Sequence, residues 1–165
     1  MLRYLITLQA TDKEGLVESI ANKISHYGGN WLDSEMRHID GVFAAILQLE
    51  FPEAHWDHLL DDLTAIESLT LTYSKTSKNN TDLKRAHYRL VANDRIGLVQ
   101  DISNKMRALN INIERFSSQY ETASHTGIAL FRADFNVSMK QDQDEELIQA
   151  LYDMGDDVVL DKIDE

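Results

Sequence analysis

The feature that most constrains this chain is that it repeats itself. Asp12-Lys13-Glu14-Gly15-Leu16-Val17 recurs 82 positions later as Asp94-Arg95-Ile96-Gly97-Leu98-Val99. The match continues with Ile20, Asn22, Lys23 and Asn30 over Ile102, Asn104, Lys105 and Asn112. Roughly eight identities over about nineteen positions, with compatible apolar residues between them, describe one structural unit built twice. The polar stretch 74–84 (Ser-Lys-Thr-Ser-Lys-Asn-Asn-Thr-Asp-Leu-Lys) lies between the copies and reads as their connection. The expected organisation is a domain over 1–74, a linker over 75–85 and a second domain over 86–165.

Each copy runs through the same series of periodicities. Tyr4, Ile6 and Leu8 alternate as a strand does, and so do Tyr88, Leu90 and Ala92. A glycine-containing loop follows in both. Leu16, Val17, Ile20, Ile24 and Tyr27, then Leu98, Val99, Ile102, Met106 and Leu109, recur at helical spacing and give each first helix an apolar stripe. Gly28-Gly29 and Asn110 suit the helix ends, because Gly and Asn tolerate the left-handed conformation that stops a helix.

Two strands come next, expected at 30–39 and 41–51 in the first copy and at 112–120 and 126–138 in the second, paired as hairpins. Phe43, Ala45, Leu47, Leu49 and Phe51, like Ala129, Phe131, Ala133, Phe135 and Val137, alternate toward a core. The opposite face starts apolar at Val42, Ala44 and Ile46, and at Ile128 and Leu130, before it turns polar. A second helical stripe, Trp56, Leu59, Leu60, Leu63 and Ile66, matches Leu147, Ile148, Leu151 and Met154, and a last strand closes each copy at 69–73 and 158–163. The order βαββαβ, twice, defines an α+β chain of two tandem ferredoxin-like domains. Each is an antiparallel four-stranded sheet with both helices on one face, which leaves the other face for a partner or a second domain.

The loop between first strand and first helix is the candidate binding site. Glycine lets backbone approach a ligand closely, and the unbonded N–H groups of a helix start can receive a carboxylate such as an amino acid carries. Gly15 and Leu16, with Gly97 and Leu98, form these turns. Asp12 and Asp94 either cap the helix, the stronger reading, or accept a ligand ammonium. Asn30 and Asn112 can donate to or accept from a ligand at the start of the next strand.

Gly15-Leu16-Val17 and Gly97-Leu98-Val99, in this topology, resemble the ACT domain family of small-molecule sensing modules. Where many members of that family have Pro before the loop glycine, this chain has Glu14 and Ile96. The tandem without an attached catalytic or DNA-binding domain resembles the glycine cleavage system transcriptional repressor family. That resemblance implies a glycine-responsive regulator that represses by contacting a DNA-bound activator. The regulatory part of formyltetrahydrofolate deformylases is also similar, but its catalytic domain has no room here.

Charge and composition narrow the partners. A formal net charge of -12 opposes phosphate backbones and anionic lipid, so direct nucleic-acid or membrane binding is not expected. No cysteine is present, which removes thiol nucleophiles and thiolate metal sites and fits a reducing, cytoplasmic setting. Residues 1–9 alternate without a basic region or a long apolar run, so a signal peptide or membrane span is not expected there. The sequon Asn79-Asn80-Thr81 has meaning only in a secreted chain.

No arrangement of nucleophile, base and apolar enclosure points to an enzyme, and nothing calls for a cofactor. His55 and His58 beside Asp57, Asp61 and Asp62 raise a metal site, but a solvated helix face explains them and the second copy has no matching histidine. RNA recognition by this topology needs outward aromatics, whereas Phe131 and Phe135 share the core alternation. The acidic ending, Asp156, Asp157, Asp161, Asp164 and Glu165, reads as a solvated margin or a surface for a basic partner. The expected partners are an amino-acid ligand, glycine being implied by the family, a regulatory protein, and a further copy of the chain. The rival from another class is a ligand-independent assembly module that uses the apolar outer faces.

Overall fold

The computed structural model describes residues 1–77 and 83–163, so the sequon at 79–81 and the terminal Asp164 and Glu165 lie outside the described residues. The chain divides into two compact units, Met1–Asn79 and Asn80–Glu165. The first contains β1 (Leu2–Thr11), α1 (Leu16–His26), β2 (Asn30–Ile39), β3 (Val42–Phe51), α2 (Trp56–Thr64) and β4 (Thr70–Thr76). The second contains β5 (Lys84–Asn93), α3 (Leu98–Ala108), β6 (Asn112–Thr122), β7 (Ala129–Met139), α4 (Asp144–Tyr152) and β8 (Val159–Ile163). The sheets are antiparallel with orders β2-β3-β1-β4 and β6-β7-β5-β8, the ferredoxin-like arrangement twice.

Strands claim both ends of the stretch read as a linker at 75–85. Lys75 and Thr76 pair with Tyr4 and Arg3 of β1, and Lys84 and Arg85 pair with Met139 and Ser138 of β7. Ladder hydrogen bonds come from the backbone, so a polar run at a sheet edge pairs as well as an apolar one.

The helix ends show why the sequence stops where it does. Gly28 at φ 76° and Asn110 at φ 55° turn the backbone left-handed after α1 and α3. Gly28 and Gly29 N–H groups donate to the Ser25 and Ile24 carbonyls, and Asn110 and Ile111 repeat this with Arg107 and Met106. Both are Schellman closures, which satisfy carbonyls that the helix end would otherwise leave open. The β2-β3 hairpin closes through Asp40 (φ 50°) and Gly41 (φ 83°) between the paired residues Ile39 and Val42. Two positive φ values in a two-residue loop match the twist of the strands they join, and Asp-Gly is the pair that adopts them at least cost.

The inner faces form two separate cores. Tyr4, Ile6, Leu47, Leu49, Phe51, Leu59 and Leu63 fill the first, and Tyr88, Leu90, Ala133, Phe135, Val137, Leu147 and Leu151 the second. One corner differs in chemistry. Trp56 and Asp144 each open the second helix five residues after the long strand ends. Trp56 stacks on Tyr4 with ring centroids 3.5 Å apart and meets Tyr73 edge-on at 5.1 Å. Asp144 instead accepts from the Tyr88 hydroxyl at 2.5 Å, from Lys162 at 2.9 Å and from Lys84. Burial alone would raise the Asp144 pKa, but the hydrogen bonds from Lys84, Tyr88 and Lys162 outweigh it and hold the carboxyl below the usual carboxylate range.

Candidate functional site

Neither aspartate caps its helix. Gly15 at φ 78° and Gly97 at φ 94° occupy the cap positions, and neither helix start has a side-chain cap hydrogen bond. Asp12 and Asp94 instead end the first strands, their N–H groups donating to the carbonyls of Gly41 and Ala129 at 3.0 and 2.9 Å. Asp12 Oδ2 also lies 3.8 Å from His38 Nδ1. The Gly41 N–H donates to His38 Nε2 at 3.0 Å, so the ring proton of neutral His38 sits on Nδ1 and faces that carboxylate.

What remains at each loop is an open helix start. Ser19 N–H reaches the Gly15 carbonyl and Asp101 N–H the Gly97 carbonyl, both at 2.8 Å, which closes the first helical bond, and ahead of it the Leu16 N–H donates to the Lys13 carbonyl at 3.3 Å. A side-chain carbon built on Gly15 or Gly97 would meet no atom within 4 Å. Leu16 and Leu98 are 3% exposed and anchor their helices in the core.

The asparagines lie elsewhere. Gly15 starts α1 whereas Asn30 follows its end, and an eleven-residue helix separates them by about 16 Å. Gly97 and Asn112 stand apart in the same way across α3. Each unit therefore brings Asp12, Gly15 and Leu16, or Asp94, Gly97 and Leu98, to one end and its asparagine to the other. Asn112 Nδ2 donates to Glu114 Oε1 at 2.6 Å, beside a hollow of about 490 Å³ lined by Ser103, Arg107 and Asn110. Glu114 also accepts from Ser138 at 2.6 Å, and these bonds hold its carboxyl below the usual range.

Sequence reading missed a cleft of about 400 Å³ in the first unit, between the start of α1 and the end of α2, lined by Lys13, Gly15, Ser19, Lys23, Asp62 and Glu67. The signal was present as Lys13 and Glu67, charged residues beside a core-facing stripe, but only the packed helices bring them together. It also missed the extent of the outer face of the first sheet, a groove of about 530 Å³ over Thr7, Gln9, Arg37, Ala44, Ile46 and Thr72. Among the described residues no group of His, Asp and Glu is placed to hold a metal, and no helix is long and apolar enough to cross a membrane. His55 and His58 both lie against Tyr27, with ring centroids 6.1 and 6.2 Å away.

Two ferredoxin-like units, each with a glycine-started first helix, make up the described residues. The ACT domain family model matches residues 3–72, which is the first unit. The second repeats its element order and strand order. Two solved structures share the whole architecture. A protein of unknown function from Galdieria sulphuraria is 17% identical, with 99% of each chain covered and a TM-score of 0.83. A protein assigned as a glycine cleavage system transcriptional repressor is 18% identical, with 99% of this chain and 98% of that chain covered and a TM-score of 0.70. No curated protein matches the chain.

Proposed function

We propose that this chain is a non-enzymatic, amino-acid-responsive regulator that acts by binding another protein. The observation that carries this reading is the uncapped helix start behind Gly15, and again behind Gly97, with open space where any other residue would place a side chain. Backbone amides at a helix start take a carboxylate without a dedicated side chain. Glycine as the ligand and a DNA-bound activator as the partner are what the resemblance of the sequence to the glycine cleavage system transcriptional repressor family implies, and one of the similar structures carries that assignment. The net charge of -12 favours a basic protein partner over DNA, in keeping with indirect repression in the cytoplasm.

Thermal unfolding with glycine, then serine and other amino acids, tests the ligand. A ligand at about a hundred times its dissociation constant stabilises by about 2.7 kcal/mol. At about 2 to 4 °C per kcal/mol for a chain of this size, the shift is readable. A glycine-selective rise supports the reading, and no shift with any amino acid refutes it.

The outer face of the first sheet favours a second reading as an assembly module. Ile39, Val42 and Ile46 are exposed there, and the Thr7 and Thr72 hydroxyls share a hydrogen bond at 2.6 Å. The corresponding face of the second sheet carries Arg89–Asp134 at 3.0 Å, His87–Asp134 at 3.6 Å and Arg132–Glu121 at 3.3 Å. Ile46→Glu separates the two roles. If it lowers the sedimentation coefficient but leaves the amino-acid response intact, the face holds copies together and the loops sense.

A further inference from the structure

The four sheet edges are not alike. β2 and β6 each slip register near their start, between Trp31 and Asp33 and between Ile113 and Arg115, and β8 runs for only five residues, Val159–Ile163. β2 also carries Asp33, Glu35 and Arg37, and β6 carries Glu114, Arg115 and Glu121. Bulges, short length and charged side chains keep a sheet edge from pairing with another chain. β4 lacks these guards. Its seven residues, Thr70–Thr76, contain no proline, and they pair with β1 without a slip from Gln9 to Arg3. They hold one charge, Lys75, which donates to Glu53 at 2.5 Å. β4 ends its sheet, no described strand pairs with its far side, and five of its seven residues are exposed.

The two sides of this edge differ in chemistry. Thr72 shares a hydrogen bond with Thr7 on the outer face, whereas Leu71 packs against the first core and Tyr73 meets Trp56. Strand alternation therefore puts Thr70, Thr72, Ser74 and Thr76 on the outer face, and Leu71, Tyr73 and Lys75 on the helix face.

Turned end for end about Tyr73, the strand matches itself. An antiparallel pair with its twofold axis at Tyr73 sets Thr70 opposite Thr76 and Thr72 opposite Ser74, hydroxyl against hydroxyl. It sets Tyr73 opposite Tyr73, and Leu71 opposite the stem of Lys75. Aromatic pairs and Thr–Thr or Thr–Ser pairs stabilise antiparallel strands, and no like charges face each other in this register.

We infer that β4 is a dimer interface, pairing antiparallel with β4 of a second copy of the chain about a twofold axis at Tyr73. A twofold contact uses the same patch on both copies and closes, so it yields a pair and not a fibre. Thr70 and Thr72 also rim the groove of about 530 Å³ on the outer face, so the two grooves join across eight strands. Such pairing does not depend on whether an amino acid binds, and it lies at the edge of the sheet and not on the face that an assembly module would use.

The test uses the full chain in sedimentation equilibrium over a concentration series, which is expected to show monomer and dimer. Thr72→Lys with Ser74→Lys sets lysine opposite lysine at both pairs and is expected to weaken association about tenfold or more. Thr72→Glu with Ser74→Glu is expected to do the same. Mixing the lysine and glutamate chains is expected to restore dimers as heterodimers, which a misfolded variant cannot do. The chain has no cysteine, so the register is read by disulfide formation. Thr72→Cys and Ser74→Cys chains, mixed under mild oxidation, are expected to cross-link faster than either alone. A monomer at every concentration overturns the inference, and so does a dimer that both charged variants leave intact or that mixing fails to restore. Cross-linking no faster in the mixture overturns the pairing about Tyr73. Dissociation by Ile46→Glu but not by the lysine pair moves the contact to the sheet face and overturns it as well.

Discussion

Gly29→Ala probes how tightly the first core is determined by its sequence. Gly29 lies just past α1, and its N–H completes the Schellman closure on Ile24. A side-chain carbon there would sit 2.3 Å from Phe51 Cδ2, 2.6 Å from Phe51 Cε2 and 2.9 Å from Ile24 Cγ2. Carbon atoms ordinarily approach to about 3.5 to 4.0 Å, so the Phe51 ring must move by about 1 Å or more. Phe51 is 0% exposed and Ile24 is 1% exposed, which leaves neither an outward escape. Gly29 is absent from the residues with positive φ, so the cost is steric and not conformational. Overpacking a core typically costs about 1 to 3 kcal/mol, offset in part by the smaller entropy of the unfolded Ala chain. For a unit of this size that is a fall in Tm of about 4 to 8 °C per kcal/mol.

The assay is urea unfolding followed by tryptophan fluorescence, since both tryptophans, Trp31 and Trp56, lie in the first unit and report on it alone. The second unit supplies the compensating change. Ile111 stands in the Gly29 position there, and Met139 in the Phe51 position. Adding Phe51→Met to Gly29→Ala should therefore recover part of the loss, with a coupling of about 0.5 kcal/mol or more in the double-mutant cycle. A single variant within about 0.5 kcal/mol of the parent, or strict additivity of the pair, would refute the packing argument.

Four further outcomes are expected. Tyr4→Phe should leave stability unchanged or slightly raised, because the buried Tyr4 hydroxyl has no hydrogen-bond partner among the described residues. Tyr88→Phe should cost about 1 to 2 kcal/mol by removing a charge-assisted bond to Asp144, and chemical denaturation of each variant compares the two. The carboxyl of Asp144 is held below its unfolded value of about 3.9, so its contribution is present above that pH and is lost as pH falls toward the folded pKa. Asp144→Asn should accordingly flatten the acid limb of the second unit's stability, followed by circular dichroism from pH 7 to about pH 2.5. Gly15→Ala should cost about 1 to 2 kcal/mol through the left-handed backbone alone, and Gly15→Asn less, because Asn110 already adopts that conformation; equal losses in thermal melts would contradict this.

Much of the fold is legible because its signals are local and occur twice. The glycine turns, the apolar stripes and the Asn110 helix end each depend on neighbours within one turn, so a pair of repeats reads them twice over. The aspartates resisted for the opposite reason. Asp12 and Asp94 look like caps by position, but the left-handed Gly15 and Gly97 decide the geometry of the helix start, and the aspartates join the hairpins instead. The corner at Trp56 and Asp144 was equally closed to sequence reading. Its partners, Tyr4 and Tyr73 in one unit and Lys84, Tyr88 and Lys162 in the other, come from the first strand and the last, and no short window contains them.

The repeat itself loses phase partway through each unit, and the reason bears on function. The shift is 82 from Asp12 to Asn30 but 88 at the second helix, because the β6-β7 hairpin is six residues longer than the β2-β3 hairpin. The inserted length lies entirely between the paired ends Asn30–Glu50 and Asn112–Ser138, so both cores keep the same register where the helices pack. Conserving the packed frame while varying what it carries separates fold from site. The frame tolerates an aromatic or an ionic corner, and an apolar or a charged outer sheet face. The helix cleft varies in the same way, lined by Lys13 and Glu67 in one unit and bridged by Arg95 from Asp101 to the Met154 carbonyl in the other. Two copies kept alike for the same task would not diverge at all three places at once. Their divergence in one chain argues for a division of labour, in which the first unit presents a cleft and an apolar face while the second has both bridged by its own charges.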